Sequence, residues 1–163
     1  DLASVTSALA RMGIAPIVAT ERLADYSNIP TVFHESVTLV NHEDGKLVAA
    51  ANCVKSVLVC AVLHHEPDPK ALLDRLSEAD SGRWLVVENC LEDNFDNSFH
   101  EFVDEFFNKC LNKIDIPCVE QHRYPEEWKA LLSQYGTIIS EEIQYNIPGI
   151  PFPYRLFVVE RAA

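Results

Sequence analysis

The feature that most constrains the fold is a continuous apolar run near the middle of the chain. Residues 55–63 read Lys-Ser-Val-Leu-Val-Cys-Ala-Val-Leu, which is rich in β-branched side chains and short enough for one strand. A strand that is apolar on both sides is typical of a parallel sheet covered on both faces. Asp68 and Pro69 follow, and they predict a helix that begins with an N-cap and a proline at its first position. This strand-to-helix step predicts an α/β protein.

Other strands and helices alternate around this run. The patterns predict helices over residues 3–12, 69–81, 98–114 and 125–136, and strands over residues 14–20, 31–40, 84–87, 137–145 and 154–160, while residues 46–54 suit either. The connection between the last two strands is too short for a helical crossover, so we expect these strands to be antiparallel. The chain shows no internal repeat or linker, so we expect residues 1–163 to form a single domain.

Composition and charge disfavour several classes of partner. The chain has 13 Lys and Arg against 25 Asp and Glu, a formal charge of −12. A field of this sign opposes binding to phosphate backbones, so we expect no nucleic-acid partner. No apolar run approaches the roughly 20 residues that cross a bilayer, so we expect no membrane association. The five cysteines form no CxxC pair, which disfavours a disulfide framework and indicates the reducing cytoplasm.

Several segments have the order and spacing of a known family. The central run ends in Leu-His-His at residues 63–65, Pro-Asp-Pro at 67–69 begins the next helix, and a turn at Gly82 leads to a strand that ends in Glu88. The chain resembles here the second half of the class I S-adenosylmethionine-dependent methyltransferases. The helix and hairpin from residue 125 onward are similar to the closing elements of that family. The resemblance implies a Rossmann-like, mostly parallel sheet with an antiparallel closing hairpin, and S-adenosylmethionine as cofactor.

The resemblance also implies two cofactor-binding carboxylates. Glu21 follows the strand predicted over residues 14–20, where the family has the acid that holds the ribose hydroxyls of the cofactor. A carboxylate at the carboxyl end of a parallel strand can accept hydrogen bonds from both hydroxyls of a ribose. Glu35 follows the next predicted strand and is the candidate for a contact on the adenine side.

One element of the family pattern is not found in this sequence. Class I methyltransferases have a glycine-rich loop after their first strand, whereas the five glycines here form no GxG. Compared with the family, the chain begins inside the helix that follows that loop, so the first, central strand is lacking or replaced. Three explanations stay open, namely sequence upstream of Asp1, a degenerate relative of the family, and a partner chain or second copy that supplies the strand.

His64 and His65 are the candidate catalytic residues. Adjacent side chains on an extended segment point in opposite directions, so this pair is a poor chelator and we predict no metal site. We expect a structural or substrate-pocket role, in which one of the two histidines acts as proton acceptor if the pocket is active.

The helix predicted over residues 98–114 has the strongest apolar stripe of the chain. We expect this stripe to be a core or helix-packing face rather than a lipid or substrate tunnel; it consists of Phe99, Phe102, Val103, Phe106, Phe107, Cys110, Leu111 and Ile114. We expect the acids around the start of the helix to form a solvated face that suits the helix dipole; they are Glu92, Asp93, Asp96, Glu101, Asp104 and Glu105.

Two functions follow from the sequence. The first is an S-adenosylmethionine-dependent methyltransferase, whose acidic surface suits a small-molecule or protein substrate. The second is a cofactor-free methyltransferase-like module that serves as a scaffold or interaction domain of a larger polypeptide.

Overall fold

The computed structural model describes residues 2–14, 17–21, 37–41, 55–78, 82–93, 97–112, 122–147 and 151–161. Strands and helices alternate along these ranges, as the sequence predicts. Their order is α1 (Leu2–Arg11), β1 (Ile17–Glu21), β2 (Val37–Asn41), β3 (Ser56–Cys60), a 3-10 turn (Leu63–His65), α2 (Pro69–Ser77), β4 (Arg83–Asn89), α3 (Asn97–Glu105), a π-helix (Phe106–Asn112), α4 (Pro125–Leu132), β5 (Thr137–Gln144) and β6 (Tyr154–Glu160). The ambiguous segment 46–54 lies outside the described residues.

The described strands form two sheets. Strands β1 and β2 pair in parallel, with Glu21 opposite Asn41 at their carboxyl ends. The second sheet has the order β3-β4-β6-β5, in which β3 and β4 are parallel and β6 is antiparallel to both of its neighbours. The predicted fold class, with its antiparallel closing hairpin, is confirmed. Among the described residues no strand bonds to both sheets, so β3 is the outer strand of the second one.

The hydrophobic core lies on one face of the second sheet. Strand β4 alternates along its length and buries Trp84 and Val86, which lie two residues apart and so share a face. Helices α2 and α4 cover that face with apolar side chains. The core cluster consists of Val59, Leu63, Leu72, Leu73, Leu76, Trp84, Val86, Cys90, Trp128, Leu131, Leu132, Phe157 and Val159.

Both covering helices begin as their sequences predict. The Asp68 side chain accepts a hydrogen bond of 3.2 Å from the backbone N–H of Ala71, and Pro69 is the first residue of α2. At α4, Pro125 is again the first residue, and Glu127 accepts the backbone N–H of Tyr124 at 2.9 Å. These caps satisfy N–H groups that have no partner inside the helix.

One strand is shorter than predicted, and one helix changes its type along its length. Strand β3 ends at Cys60 rather than at residue 63, because Ala61 adopts a φ of 51° and the chain then makes a 3-10 turn. The long aromatic helix is α-helical only to Glu105 and continues as a π-helix. Its phenylalanines are also less buried than a core face requires, since Phe102 is 63% exposed and Phe106 44% exposed.

None of the helices in the described part of the chain has the length and apolarity needed to cross a membrane.

Candidate functional site

Glu88 organises the region where the parallel strands β3 and β4 end. It lies two residues beyond Val86 on the same face of β4, and it is fully buried. Its Oε1 accepts the backbone N–H of Val62 at 3.0 Å and that of Leu63 at 2.8 Å. A buried carboxylate thus satisfies the backbone donors of the 3-10 turn and explains why the chain leaves the strand there.

The second oxygen of Glu88 holds the ring of His64. The distance from His64 Nδ1 to Glu88 Oε2 is 2.5 Å, and the exposed fractions of the two side chains are 2% and 0%. Because an ionised carboxylate only accepts, Nδ1 is the donor in this bond. The orientation of the ring is therefore fixed, and its Nε2 points to Asp104 of α3, whose Oδ2 is 3.0 Å away.

His122 approaches the same carboxylate from a third segment of the chain. Its Nε2 lies 3.5 Å from Asp104 Oδ2, and its Nδ1 lies 3.2 Å from the amide oxygen of Asn89. The rings of His64 and His122 are stacked with their centroids 4.9 Å apart. We call these five residues, Glu88, His64, Asp104, His122 and Asn89, the polar centre.

The charges of the polar centre shift the pKa values of His64, His122 and the neighbouring His65, and the shift of His64 is opposite to the other two. Burial alone lowers the pKa of His64, but Glu88 and Asp104 outweigh it and raise that pKa to about 10. Burial, together with the charge on His64, lowers the pKa values of His65 and His122 to about 4. Burial opposes ionisation of Asp104, yet contact with the histidines holds its pKa below the usual range. Of these three rings, only that of His64 is charged at neutral pH.

Aromatic side chains form one wall of the polar centre. The ring of His100 stacks on Phe152 at a centroid distance of 4.3 Å and lies 5.0 Å from the ring of His122. Burial raises the pKa of Tyr154, and the negative charges of Asp104 and Glu88 raise it further. Tyr154 is therefore a neutral phenol at physiological pH.

Comparison with known proteins gives matches among solved structures only. No family model matches the sequence, and no curated protein does. A putative methyltransferase from Bacillus halodurans C-125 matches at a TM-score of 0.70 with 13% identity over 98% of this chain and 88% of that one. The putative methyltransferase in the complex with the Haloferax volcanii Trm112 activator matches at 0.63 with 10% identity over 96% and 77%. The chain has a methyltransferase fold.

Two further structures resemble this methyltransferase fold less closely. The N-terminal domain of EvdMO1, in the presence of SAH and D-fucose, matches at a TM-score of 0.50 with 12% identity over 99% of this chain and 83% of that one. The mitomycin 7-O-methyltransferase MmcR is 26% identical over 67% of this chain, at a TM-score of 0.44. The chain spans 30% of the length of MmcR.

The candidate residues from the sequence fall in different parts of the methyltransferase fold. His64 and His65 lie together at the end of β3, with ring centroids 4.0 Å apart. They are on a 3-10 turn, so the expectation of an extended segment with opposed side chains is wrong. Glu21 is the last residue of β1 in the other sheet. Glu35 lies outside the described residues.

Sequence reasoning missed the carboxylate that joins the histidines. Asp104 was expected on a solvated face, but its side chain is 13% exposed and contacts two buried rings. The signal is that His100 and Asp104 lie beside Val103 and Phe107 of the aromatic stripe, on one helical face at i, i+3, i+4 and i+7. No local pattern marks His122, which lies in an irregular segment just before α4.

Proposed function

We propose that the chain is an S-adenosylmethionine-dependent methyltransferase that acts on a small molecule or a protein. The observation that supports this most is the position of the polar centre, because it lies where β3 and β4 end in a methyltransferase fold. Open α/β sheets bind their ligands outside the carboxyl ends of the strands. The net charge of −12 favours these acceptors over nucleic acid.

The place of Glu21 at the end of β1 supports cofactor binding on the ribose side. Glu21 ends β1, a strand parallel to β2, so its carboxylate suits the two ribose hydroxyls. Glu35 remains the proposed contact on the adenine side. The SAH in the EvdMO1 structure supports a nucleoside ligand for this fold. When bound, S-adenosylmethionine supplies a methyl group on a sulfonium, and the protein contributes mainly by positioning the acceptor.

The two histidines have different proposed roles, because their exposure differs. His65 is 16% exposed, so an acceptor can reach its ring and transfer a proton to it. His64 is 2% exposed and is held between Glu88 and Asp104, so it acts as a positioning residue. The free thiols of Cys60, Cys90 and Cys110 support a reducing, cytoplasmic location.

Calorimetric titration of the chain with S-adenosylhomocysteine tests the proposal. We expect micromolar binding, and Glu21→Ala weakens it by about 1.5–3 kcal/mol, the range for hydrogen bonds to a charged group. Glu142→Ala removes an exposed carboxylate from β5 and serves as the matched control. His65→Gln leaves this affinity unchanged but abolishes methylation of a panel of hydroxyl-bearing acceptors. Equal affinity in Glu21→Ala and the wild type removes Glu21 from the site.

A second candidate function is a cofactor-free interaction module. It is favoured by the free outer edge of β3, since among the described residues no strand connects the two sheets. An unpaired strand edge can pair with a strand from a second copy or from another chain. For this function we expect no heat with S-adenosylhomocysteine, no shift in melting temperature, and a dimer or complex in sedimentation experiments.

A further inference from the structure

We propose that the polar centre binds one divalent transition-metal ion of the zinc class, with His64 Nε2, Asp104 Oδ2 and His122 Nε2 as its ligands. The three side chains come from the turn after β3, from α3 and from the segment before α4. This site goes beyond the proposed methyltransferase activity and does not require the cofactor.

The distances between the three ligand atoms suit a metal ion. Asp104 Oδ2 lies 3.0 Å from His64 Nε2 and 3.5 Å from His122 Nε2, and all three atoms lie within 4.8 Å of one another. Ligands bound tetrahedrally at about 2.0–2.2 Å from zinc are separated by roughly 3.3–3.6 Å. Small side-chain movements would therefore bring the three atoms to coordination distance.

Each histidine is also held in the orientation that a metal ligand needs. His64 Nδ1 is bound by Glu88 Oε2, and His122 Nδ1 faces the amide oxygen of Asn89. Metal-binding histidines usually donate their other ring N–H to a carboxylate or an amide oxygen in this way, so that Nε2 is the nitrogen that coordinates. An ion bound at His64 would displace the proton that Nε2 carries in the metal-free ring. Here Nε2 of both rings is directed at the same carboxylate oxygen.

The polar centre holds more acidic groups than charged basic ones. Within the described part of the chain, His64 Nε2 and Asp104 Oδ2 are buried atoms that lie 3.0 Å apart and contact each other as an ion pair. No Lys or Arg among the described residues pairs with Glu88 or with Asp104. Glu88 and Asp104 share one charged ring, that of His64, as their basic partner, so a divalent cation bound at Asp104 would offset negative charge that this ring alone does not.

The donor set selects the kind of metal. Two imidazole nitrogens and one carboxylate suit Zn²⁺, Co²⁺ and related ions, whereas Mg²⁺ and Ca²⁺ prefer oxygen ligands. Three protein ligands leave at least one coordination position for an oxygen of a bound molecule, as in catalytic zinc sites. His65 lies near the same carboxylate, with its Nε2 4.0 Å from Asp104 Oδ2.

The test is titration of the chelator-treated full chain with Co²⁺ and Zn²⁺, followed by calorimetry and by the visible absorption of Co²⁺. We expect one ion per chain, no competition from Mg²⁺, and a spectrum of nitrogen and oxygen ligation. Asp104→Asn and His122→Gln should each lower the affinity by more than about tenfold, since even residues that only orient ligands contribute 10–100-fold. Circular dichroism and melting temperature establish that each variant is folded.

Two control variants remove neighbouring groups that also bind metals. Glu105→Gln changes an exposed carboxylate next to Asp104 in the same helix, and Cys110→Ser removes an exposed thiol. Both should bind Co²⁺ with the affinity of the wild type. The proposal is overturned if the folded wild type binds neither ion, if Asp104→Asn and His122→Gln bind as tightly as the controls, or if the Co²⁺ spectrum shows thiolate ligation. Because the Co²⁺ spectrum of the wild type reports the kind of ligand directly, it tests the proposed site even if a variant fails to fold.

Discussion

The buried face of β4 passes from an apolar region to a polar one within a few residues. Trp84 and Val86 pack into the hydrophobic core, and Glu88, next on the same face, anchors the polar centre. Both regions are equally buried, since all three side chains have no exposed surface. The core residues gain stability from burial itself, whereas Glu88 is tolerated only because each of its oxygens accepts hydrogen bonds. Burial therefore stabilises the apolar part of this strand, whereas at Glu88 it costs free energy that hydrogen bonds must offset.

The largest effect is expected from removing an aromatic side chain of the core. Trp128 of α4 is fully buried against the second sheet. Trp128→Ala should lower the free energy of unfolding by about 3–5 kcal/mol, because it removes apolar contacts and leaves a cavity. Urea unfolding measures the change. If the two regions are independent, the folded variant keeps the Co²⁺ affinity of the wild type. A loss below about 1 kcal/mol would contradict the assignment of Trp128 to the core.

Glu88→Gln should lower the free energy of unfolding less than Trp128→Ala does. It should, however, weaken metal binding at the polar centre more. The amide oxygen can still accept the backbone N–H groups of Val62 and Leu63, but the amide nitrogen replaces the acceptor of His64 Nδ1. We expect a loss of about 1.5–3 kcal/mol in the free energy of unfolding, the value of a hydrogen bond to a charged group. Without an acceptor at Nδ1, His64 would lose that proton and keep the one on Nε2, so metal affinity should fall roughly 10–100-fold.

Glu141→Gln is the matched control for this substitution. Glu141 of β5 pairs with Lys129 and Arg155 in a half-buried network that does not include the polar centre. Its loss should cost at most about 1 kcal/mol and leave metal affinity unchanged, because water screens ion pairs of this kind. If Glu88→Gln and Glu141→Gln lower the free energy of unfolding equally, the deeper burial of Glu88 does not make it more important for stability.

The smallest loss of stability is expected from Asp68, at the surface between the hydrophobic core and the polar centre. Asp68 caps α2, whose buried face belongs to the core and whose start follows the polar centre. Asp68→Ala should cost about 1 kcal/mol, whereas Asp68→Asn keeps an acceptor for the backbone N–H of Ala71 and should be nearly neutral. Thermal unfolding of the pair measures this difference. A change in Co²⁺ affinity in either variant would mean that the cap, and not only Glu88, positions the turn with His64.

The sequence predicts the secondary-structure elements better than it predicts the candidate functional site. The apolar run of β3, the caps at Asp68 and Pro125 and the closing hairpin are local patterns, and each is found close to its predicted place. His64 and His65 were identified from the residues that follow β3. The sequence does not predict the polar centre, because Asp104 is one of several acids around the start of the same helix.

What the sequence by itself determined is the alternation of strands and helices, since side-chain periodicity and capping depend on neighbours a few residues apart. Only the tertiary structure decided which polar side chains meet. His64, Glu88, Asp104 and His122 are distant in the chain, and they converge because β3 and β4 are parallel and end together while α3 and the segment before α4 pack over those ends. Local sequence preferences cannot specify these contacts, and they are stable because each buried polar group has a partner.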